Sequence, residues 1–428
     1  MWEEILKWIA TNLLGQVSIL IGLIALVGLI LQGKRFEEVI LGTVKAIAGV
    51  LIMIIGIEAF IGGLIAFQIV VSSAFGITPP AAARTLADFT AAYAGKAVMG
   101  LTIGFFIHLL LTSLLGIRLV YLTGHLMYWV SLLVTAALVE VFPNMSTGAL
   151  ILTVAIIVAI YWTIQPWYIH RYLKVVTRTE DFGYGHTSSF AGFLASILGR
   201  FVGKPEESSE TVKIPDRVSF FKDVTVSTAV VIGVIMVISA LFAERAVVAK
   251  QAGDLNFVVW ALLQALKFAA GLTVLLYGVR MFLTEIVPAF KGISARVIPG
   301  ARPALDCPVI FPYAPTAVII GFISATIVFL ICMVIFGAIG WAAIVPPMIM
   351  LFFPGGAAAV FGNAFGGWKG AALGGVINGL FLAFGQAITW PLLSRTAPEL
   401  ATLSDPDWYI LAWIILGVGR IIKVITGG

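Results

Sequence analysis

The stretch LGTVKAIAGVLIMIIGIEAF, Leu41 to Phe60, decides the class of this chain. Nearly every side chain in it is apolar, and as a helix it is long enough to cross a hydrocarbon layer about 30 Å thick. The same character recurs throughout. Of 428 residues, 61% are hydrophobic and 11% are charged, with a mean hydropathy of +1.08. A soluble domain carries about 25% charged residues. The apolar runs are continuous rather than alternating, which excludes a transmembrane β-barrel. The predicted class is therefore an all-α polytopic membrane protein, with lipid as the solvent for most of its surface.

Working outward, eleven apolar spans are expected, at about 13–31, 38–71, 95–115, 119–141, 147–165, 225–243, 257–288, 316–337, 341–353, 368–392 and 409–426. The second and seventh exceed one straight crossing and must tilt, bend or run past the membrane surface. The ninth is short and bounded by Pro346, Pro347 and Pro354, the pattern of a broken or re-entrant helix. The start, MWEEILKW, is acidic and lacks a cleavage site, so the first run is expected to be retained as a helix. Cys307 and Cys332 lie in apolar context and give neither a metal spacing nor a disulfide framework.

The polar segment 166–224 carries Arg171, Lys174, Arg178, Arg200, Lys204, Lys213, Arg217 and Lys222. Positive charge marks cytoplasmic loops. Counting outward from this segment puts Lys34–Arg35, Arg118, Lys291–Arg302 and Arg420–Lys423 inside, and the acidic start and SDPDW (Ser404–Trp408) outside. The expected protein sits in the cell membrane with its N-terminus out and C-terminus in. Its expected parts are a first half, 1–165, a cytoplasmic segment, 166–224, a linking span, 225–255, and a second half, 256–428. Within the cytoplasmic segment, Phe190, Phe193, Leu194, Ile197, Leu198 and Phe201 share one helical face, with Ser189, Ser196, Arg200 and Lys204 away from it. Such a helix either lies in the membrane interface or packs on other helices.

A second stretch, LLQALKFAAGLTVLLYGVRMF (Leu262–Phe282), resembles the first. At a shift of 222, Lys45, Gly49, Gly56 and Phe60 fall on Lys267, Gly271, Gly278 and Phe282. Further on, Tyr93–Ala94 matches Tyr313–Ala314. An odd number of crossings separates the copies, so they are expected to be inverted, an architecture of transporters with a mid-membrane site. The shift also sets Glu58 on Arg280. Charges this deep need partners, and the two are expected to pair, with Glu285 as a rival partner for Arg280.

Three residues stand out chemically. His125 lies in YLTGHLMYW (Tyr121–Trp129), and His186 in the glycine-rich turn GYGHTSS (Gly183–Ser189). His108 and His170 have weaker context and read as structural. Asp306, in PALDCPVIFPYAP (Pro303–Pro315), sits where prolines interrupt the helix. It either caps the helix that follows or accepts hydroxyls of a polyhydroxylated solute, as imidazole also can. No phosphate loop, metal cluster or nucleophile–base–acid arrangement appears, so neither a cofactor nor a hydrolytic site is implied.

LTGHLMY (Leu122–Tyr128), GVRMFLTEIVPAFKGISARVIPGA (Gly278–Ala301), ALDCPVIFPYAPTAVIIGF (Ala304–Phe322) and FGGWKGA (Phe365–Ala371) resemble the ascorbate-type IIC permease of the bacterial phosphotransferase system. The likeness extends over essentially the whole chain. It implies a homodimer of eleven-helix protomers, each with a solute-holding core and a scaffold of V-shaped helix pairs. It also implies a separate IIB protein whose own cysteine carries the phosphoryl group, leaving Cys307 and Cys332 outside the chemistry. The family's solute contacts fall on His125 and Asp306, and on Thr85 and Ala87 after a one-residue gap; His186 and Thr187 are further candidate contacts. Two positions depart from the pattern: Trp129 and Thr187 stand where the family carries glutamine. A hydroxyl left without its partner costs about 1–3 kcal/mol, whereas Trp129 offers a ring to the apolar face of a sugar.

The function expected is import of ascorbate or a related polyhydroxylated solute. The alternative is a stand-alone facilitator or proton-coupled carrier, in which His125 and Asp306 form a proton-responsive pair. A passive channel fits the broken, inverted repeats less well.

Overall fold

The computed structural model describes residues 4, 8, 12, 16–76, 82, 84–211, 223–296 and 298–426. Most of the acidic start, together with Lys213, Arg217 and Lys222, lies outside these residues.

The chain is helical and polytopic. Its first elements are α1 (Val17–Leu31), α2 (Phe36–Ala74), α3 (Leu86–Leu114), β1 (Leu119–Tyr121), α4 (Gly124–Val141), α5 (Thr147–Thr177), β2 (Gly183–Tyr184) and α6 (Ser189–Val202). They are followed by α7 (Val224–Phe242), α8 (Arg245–Ala252), α9 (Phe257–Arg296), β3 (Arg302–Leu305), α10 (Pro315–Ala338), α11 (Met348–Leu392), α12 (Leu400–Leu403) and α13 (Pro406–Thr426). Eight helices among the described residues are long and apolar enough to cross a membrane. The difference from eleven has three sources. At 13–31 and 225–243 the fully described residues cover only part of the expected span, and the spans at 341–353 and 368–392 are two arms of α11.

Those arms fold back on each other. Helical geometry fails at Gly366 (φ −140°, ψ 18°) and Gly367 (φ 58°, ψ −154°). The positive φ at Gly367 is a conformation that a side chain would strain. Beyond the turn, Gly370 lies against Gly362, and Gly374 against Ala358. The Asn378 amide donates to the Met350 carbonyl (3.1 Å). The broken helix expected from the prolines is thus a hairpin whose reversal lies at the glycines, while Pro354 is accommodated inside the first arm.

The two similar stretches, in α2 and α9, pack antiparallel. A Cβ placed on Gly56 would lie 2.7 Å from the Gly271 carbonyl oxygen, and one on Gly278 would lie 2.8 Å from the Gly49 carbonyl oxygen. Only residues without side chains allow backbones to approach so closely. The aligned glycines therefore meet crosswise, 56 with 271 and 49 with 278. This register overturns the expected Glu58–Arg280 pair. Arg280 lies two residues from Gly278, at the level of Gly49 and Met53, whereas Glu58 lies beside Gly56, at the level of Gly271 and Leu275. Both side chains are exposed, with no ion pair between them among the described residues. Glu285 faces Lys45 instead, at 4.0 Å.

The amphipathic segment packs on other helices through its small residues, while Arg200 and Lys204 are exposed. Ser189, Gly192, Ser196 and Gly199 of α6 are buried, with Gly192 on Phe361 and Gly199 on Gly362 of α11. Phe201 is 82% exposed. Small residues allow close helix approach, so the bulky residues are left at the rim.

Candidate solute-binding site

Three short strands position the site. β1 and β2 flank β3, and both pairings are parallel. Leu122 N donates to Ala304 O (3.0 Å), and Gly185 N donates to Leu305 O (2.7 Å). A sheet inside an apolar protein needs its outer edges satisfied. Here side chains from the neighbouring helices do this. His108 accepts from Tyr121 N (2.9 Å), Thr112 donates to Leu119 O (3.0 Å), and Gln165 donates to Tyr184 O (3.2 Å). The other ring nitrogen of His108 meets Thr163 Oγ1 at 2.9 Å. His170 lies 3.1 Å from Arg302 Nη1, on the first residue of β3.

Because the strands run parallel, their C-terminal ends open on one side. His125 follows β1, His186 follows β2 and Asp306 follows β3. Residues far apart in sequence thereby converge. His125 Nε2 lies 3.7 Å from Asp306 Oδ2, and His186 Nε2 lies 3.6 Å from Asp306 Oδ1. His186 Nε2 is also 3.8 Å from Asp405 Oδ2. These gaps exceed hydrogen-bond length. A solute oxygen lying beside such a pair can reach both members, donating to the carboxylate and accepting from the imidazole.

His186 has a defined tautomer. The Ser188 amide donates to its Nδ1 (3.1 Å), and Ser188 Oγ lies 2.9 Å from the same atom. The neutral ring therefore carries its proton on Nε2 and points it at Asp306 and Asp405. Burial pushes this imidazole down to about 4, against the pull of Asp306. Burial pushes the Asp405 carboxyl up to about 7, opposed by the Thr187 hydroxyl. His186, Asp306 and Cys307 offer ligand atoms within 4.8 Å of one another. A metal-bound imidazole normally donates its other N–H. His186 accepts there, so the group suits a hydroxylated ligand better than a resident cation.

Asp306 also accepts from Cys307 N at 2.7 Å, capping the 3₁₀ turn Cys307–Tyr313. Capping and facing the imidazoles are compatible, because the cap uses one lone pair of Oδ1.

The site opens into a cavity of about 440 Å³. That is within the roughly 300–1,000 Å³ of small-molecule sites. Its polar lining is Thr123, His125, His186, Asp306, Cys307 and Asp405, beside the rings of Trp129 and Trp408. Among the described residues, no lysine or arginine lines it. Of the expected contacts, the structure brings His125, His186, Asp306 and Trp129 together here. Thr187 is buried behind the cavity, its hydroxyl donating to Asp405.

Thr85 and Ala87 do not line this cavity. Thr85 caps α3 in a capping box with Asp88, and the adjacent Leu86 amide donates to Glu399. The sequence TLAD carries that signature, a threonine followed three residues later by a carboxylate.

Asp405 escaped the sequence reading because SDPDW was expected outside. In the structure this stretch is buried against Thr187–Phe190. Asp407 N donates to Thr187 O (2.9 Å), and the Asp407 carboxylate accepts from Phe190 N (2.9 Å), Tyr161 (2.9 Å) and Ser189. Two aspartates flanking a proline just before an apolar helix were the available signal.

Comparison with known proteins supplies the family. The model for the PTS system sugar-specific permease component, EIIC-GAT, matches residues 12–407. The chain belongs to this permease family. The protein described as the ascorbate-specific PTS system EIIC component of Mycoplasma pneumoniae is 25% identical over 415 residues, covering 85% of this chain. The chain spans 63% of that relative's length. Within this EIIC-GAT permease, the cavity at the strand ends is the candidate place for a solute.

Proposed function

We propose that this chain is the permease of a phosphotransferase system for ascorbate or a related small polyhydroxylated solute. A separate IIB protein phosphorylates the solute on the inner side. The observation that carries this reading is Asp306 facing two imidazoles closely enough for one solute hydroxyl to reach both a carboxylate and a ring nitrogen, in a cavity of suitable size. Asp306 accepts solute hydroxyls, His186 Nε2 donates, His125 donates or accepts, and Trp129 covers an apolar ring face. Thr187 acts through Asp405. Thr85 and Ala87 are left out of the set.

In this reading two copies assemble as a dimer, with the N-terminus outside and the C-terminus in the cytoplasm. Each protomer is built from the halves 1–165 and 256–428, and a core moves against a scaffold. The crosswise glycine contacts of α2 and α9 are what two inverted copies would make. The test is uptake of labelled solutes by proteoliposomes holding the purified chain. Entry of ascorbate or of a pentose, hexose or sugar acid is expected. Entry of none of them contradicts the reading.

A second reading is favoured by the 3.7 Å approach of His125 to Asp306. As a proton-responsive pair they would serve a stand-alone proton-coupled carrier. Uptake in cells lacking phosphoryl donors, abolished by a protonophore, would select it.

A further inference from the structure

Ascorbate is a monoanion at neutral pH, and the cavity offers its charge no fixed cation. Among the described residues, no lysine or arginine lines the cavity, whereas Asp306 and Asp405 both do. Like charges a few ångströms apart repel, and more strongly away from bulk water. A proton taken up with the anion removes that repulsion.

The groups of the cavity differ in their freedom to hold this proton. His186 accepts from the Ser188 amide through Nδ1, so it gains a second proton only by losing that bond. Asp306 accepts from Cys307 N and faces Nε2 of both His125 and His186, surroundings that favour its charged form. Asp405 is buried, and among the described residues its carboxyl accepts one hydrogen bond, from Thr187 to Oδ2. Asp306 and Asp407 both oppose its ionisation. The His186 ring at 3.8 Å, the phenols of Tyr121 and Tyr409 and the thiol of Cys307 also act on it or stand near it, and all are uncharged at neutral pH. Burial above all, then these carboxylates, push Asp405 up to about 7 against the Thr187 hydroxyl. His125, whose ring is half exposed, is the rival carrier.

We propose that Asp405 is the proton carrier of this cavity, so that an anionic solute binds together with one proton held on the Asp405 carboxyl. The proposal rests on reading the cavity as the solute site. The proton comes from water, and the anion and proton together leave the net charge of the cavity unchanged. Thr187 keeps Oδ2, which leaves Oδ1 to carry the proton. The carboxyl then becomes a donor to a solute oxygen, as a carboxylic acid kept neutral in an apolar site does. An anion raises the pKa of Asp405 further, so proton uptake occurs above the pKa of the empty site. Affinity is therefore highest below about pH 7 and falls as the pH rises beyond it.

The experiment is anaerobic calorimetric titration of ascorbate into the purified full chain, in two buffers of different ionisation enthalpy. Ascorbate stays a monoanion from about pH 6 to about pH 9. Uptake of close to one proton is expected at about pH 8, with affinity falling by up to about tenfold per pH unit above about pH 7. Infrared difference spectra should show a protonated-carboxyl C=O band appearing with the solute at about pH 8. Asp405→Asn, which cannot titrate, should lose the uptake, the slope and the band. His125→Gln should bind more weakly and keep all three. Binding to wild-type protein without proton uptake overturns the proposal, and so does uptake without the carboxyl band. Both readings need wild-type protein alone, so they hold even if Asp405→Asn fails to fold. Uptake that persists in folded Asp405→Asn, or is lost in His125→Gln that still binds, also overturns it. Ascorbate that binds at no pH overturns the ascorbate reading of the site, and this proposal with it. Ascorbate that binds without a proton overturns this proposal alone.

Discussion

His186 Nε2 and Asp306 Oδ1 lie 3.6 Å apart, brought together by the parallel pairing of β2 with β3. The pair is too far apart to bond and close enough to share a guest. Asp306→Asn keeps the cap on Cys307 but replaces a charged acceptor. Hydrogen bonds to charged groups contribute about 1.5–3 kcal/mol. Solute affinity should therefore fall by about 10- to 100-fold or more, in protein that still elutes as a folded species. Equilibrium binding on the purified variant measures this, and unchanged affinity would remove Asp306 from the site.

Trp129 lines the cavity one helical turn after His125. Trp129→Gln restores an amide that the permease family resemblance places there. One added hydrogen bond at about 0.5–1.5 kcal/mol predicts ascorbate bound about 2- to 12-fold more tightly. Calorimetric titration of the variant decides. A loss of affinity would mean that the ring itself grips the solute. Thr187 is not a comparable target, because its side chain is wholly buried against Asp405.

How much of this was legible in the sequence depends on the range of the interactions. The membrane class, the long helices and the glycine spacing were legible because they rest on local composition and period. Asp306, His125 and His186 stood out as polar groups in apolar surroundings. The sheet that unites them did not. Its strands are two to four residues long, far below what alternation can mark, and their partners are distant in sequence. The Glu58–Arg280 pair failed for a related reason. Aligning two copies by sequence says which residues are equivalent, while an antiparallel contact brings together residues that are not. The burial of SDPDW was not legible because acidic residues read as loop charge, whereas Thr187, Ser189, Tyr161 and Phe190 satisfy them inside the protein.

Gly278 tests the crosswise packing of α2 and α9. A side chain there meets the Gly49 carbonyl oxygen and the Met53 backbone. Overpacking costs about 1–3 kcal/mol, and more where backbone must move. Gly278→Val should lower the melting temperature in detergent, whereas Gly417→Val, in open space on α13, should not. Equal melting temperatures for the two variants would contradict the register.

Asp407 holds α13 to the loop bearing His186. Asp407→Ala leaves the Phe190 amide and two hydroxyls without their acceptor. Unsatisfied buried polar groups cost about 1–3 kcal/mol each. The variant should unfold at markedly lower temperature than Asp407→Asn, which keeps one acceptor oxygen. Thermal melts of the two variants side by side measure the difference.

The central claim is that the solute lies at the C-terminal ends of the three strands. Its most direct test is a cryo-electron microscopy map of the protein in lipid nanodiscs, with the tightest-binding sugar or sugar acid present. The account predicts ligand density between His125, His186 and Asp306, within hydrogen-bond distance of the Asp306 carboxylate. Ligand density elsewhere, with this cavity empty, would contradict it.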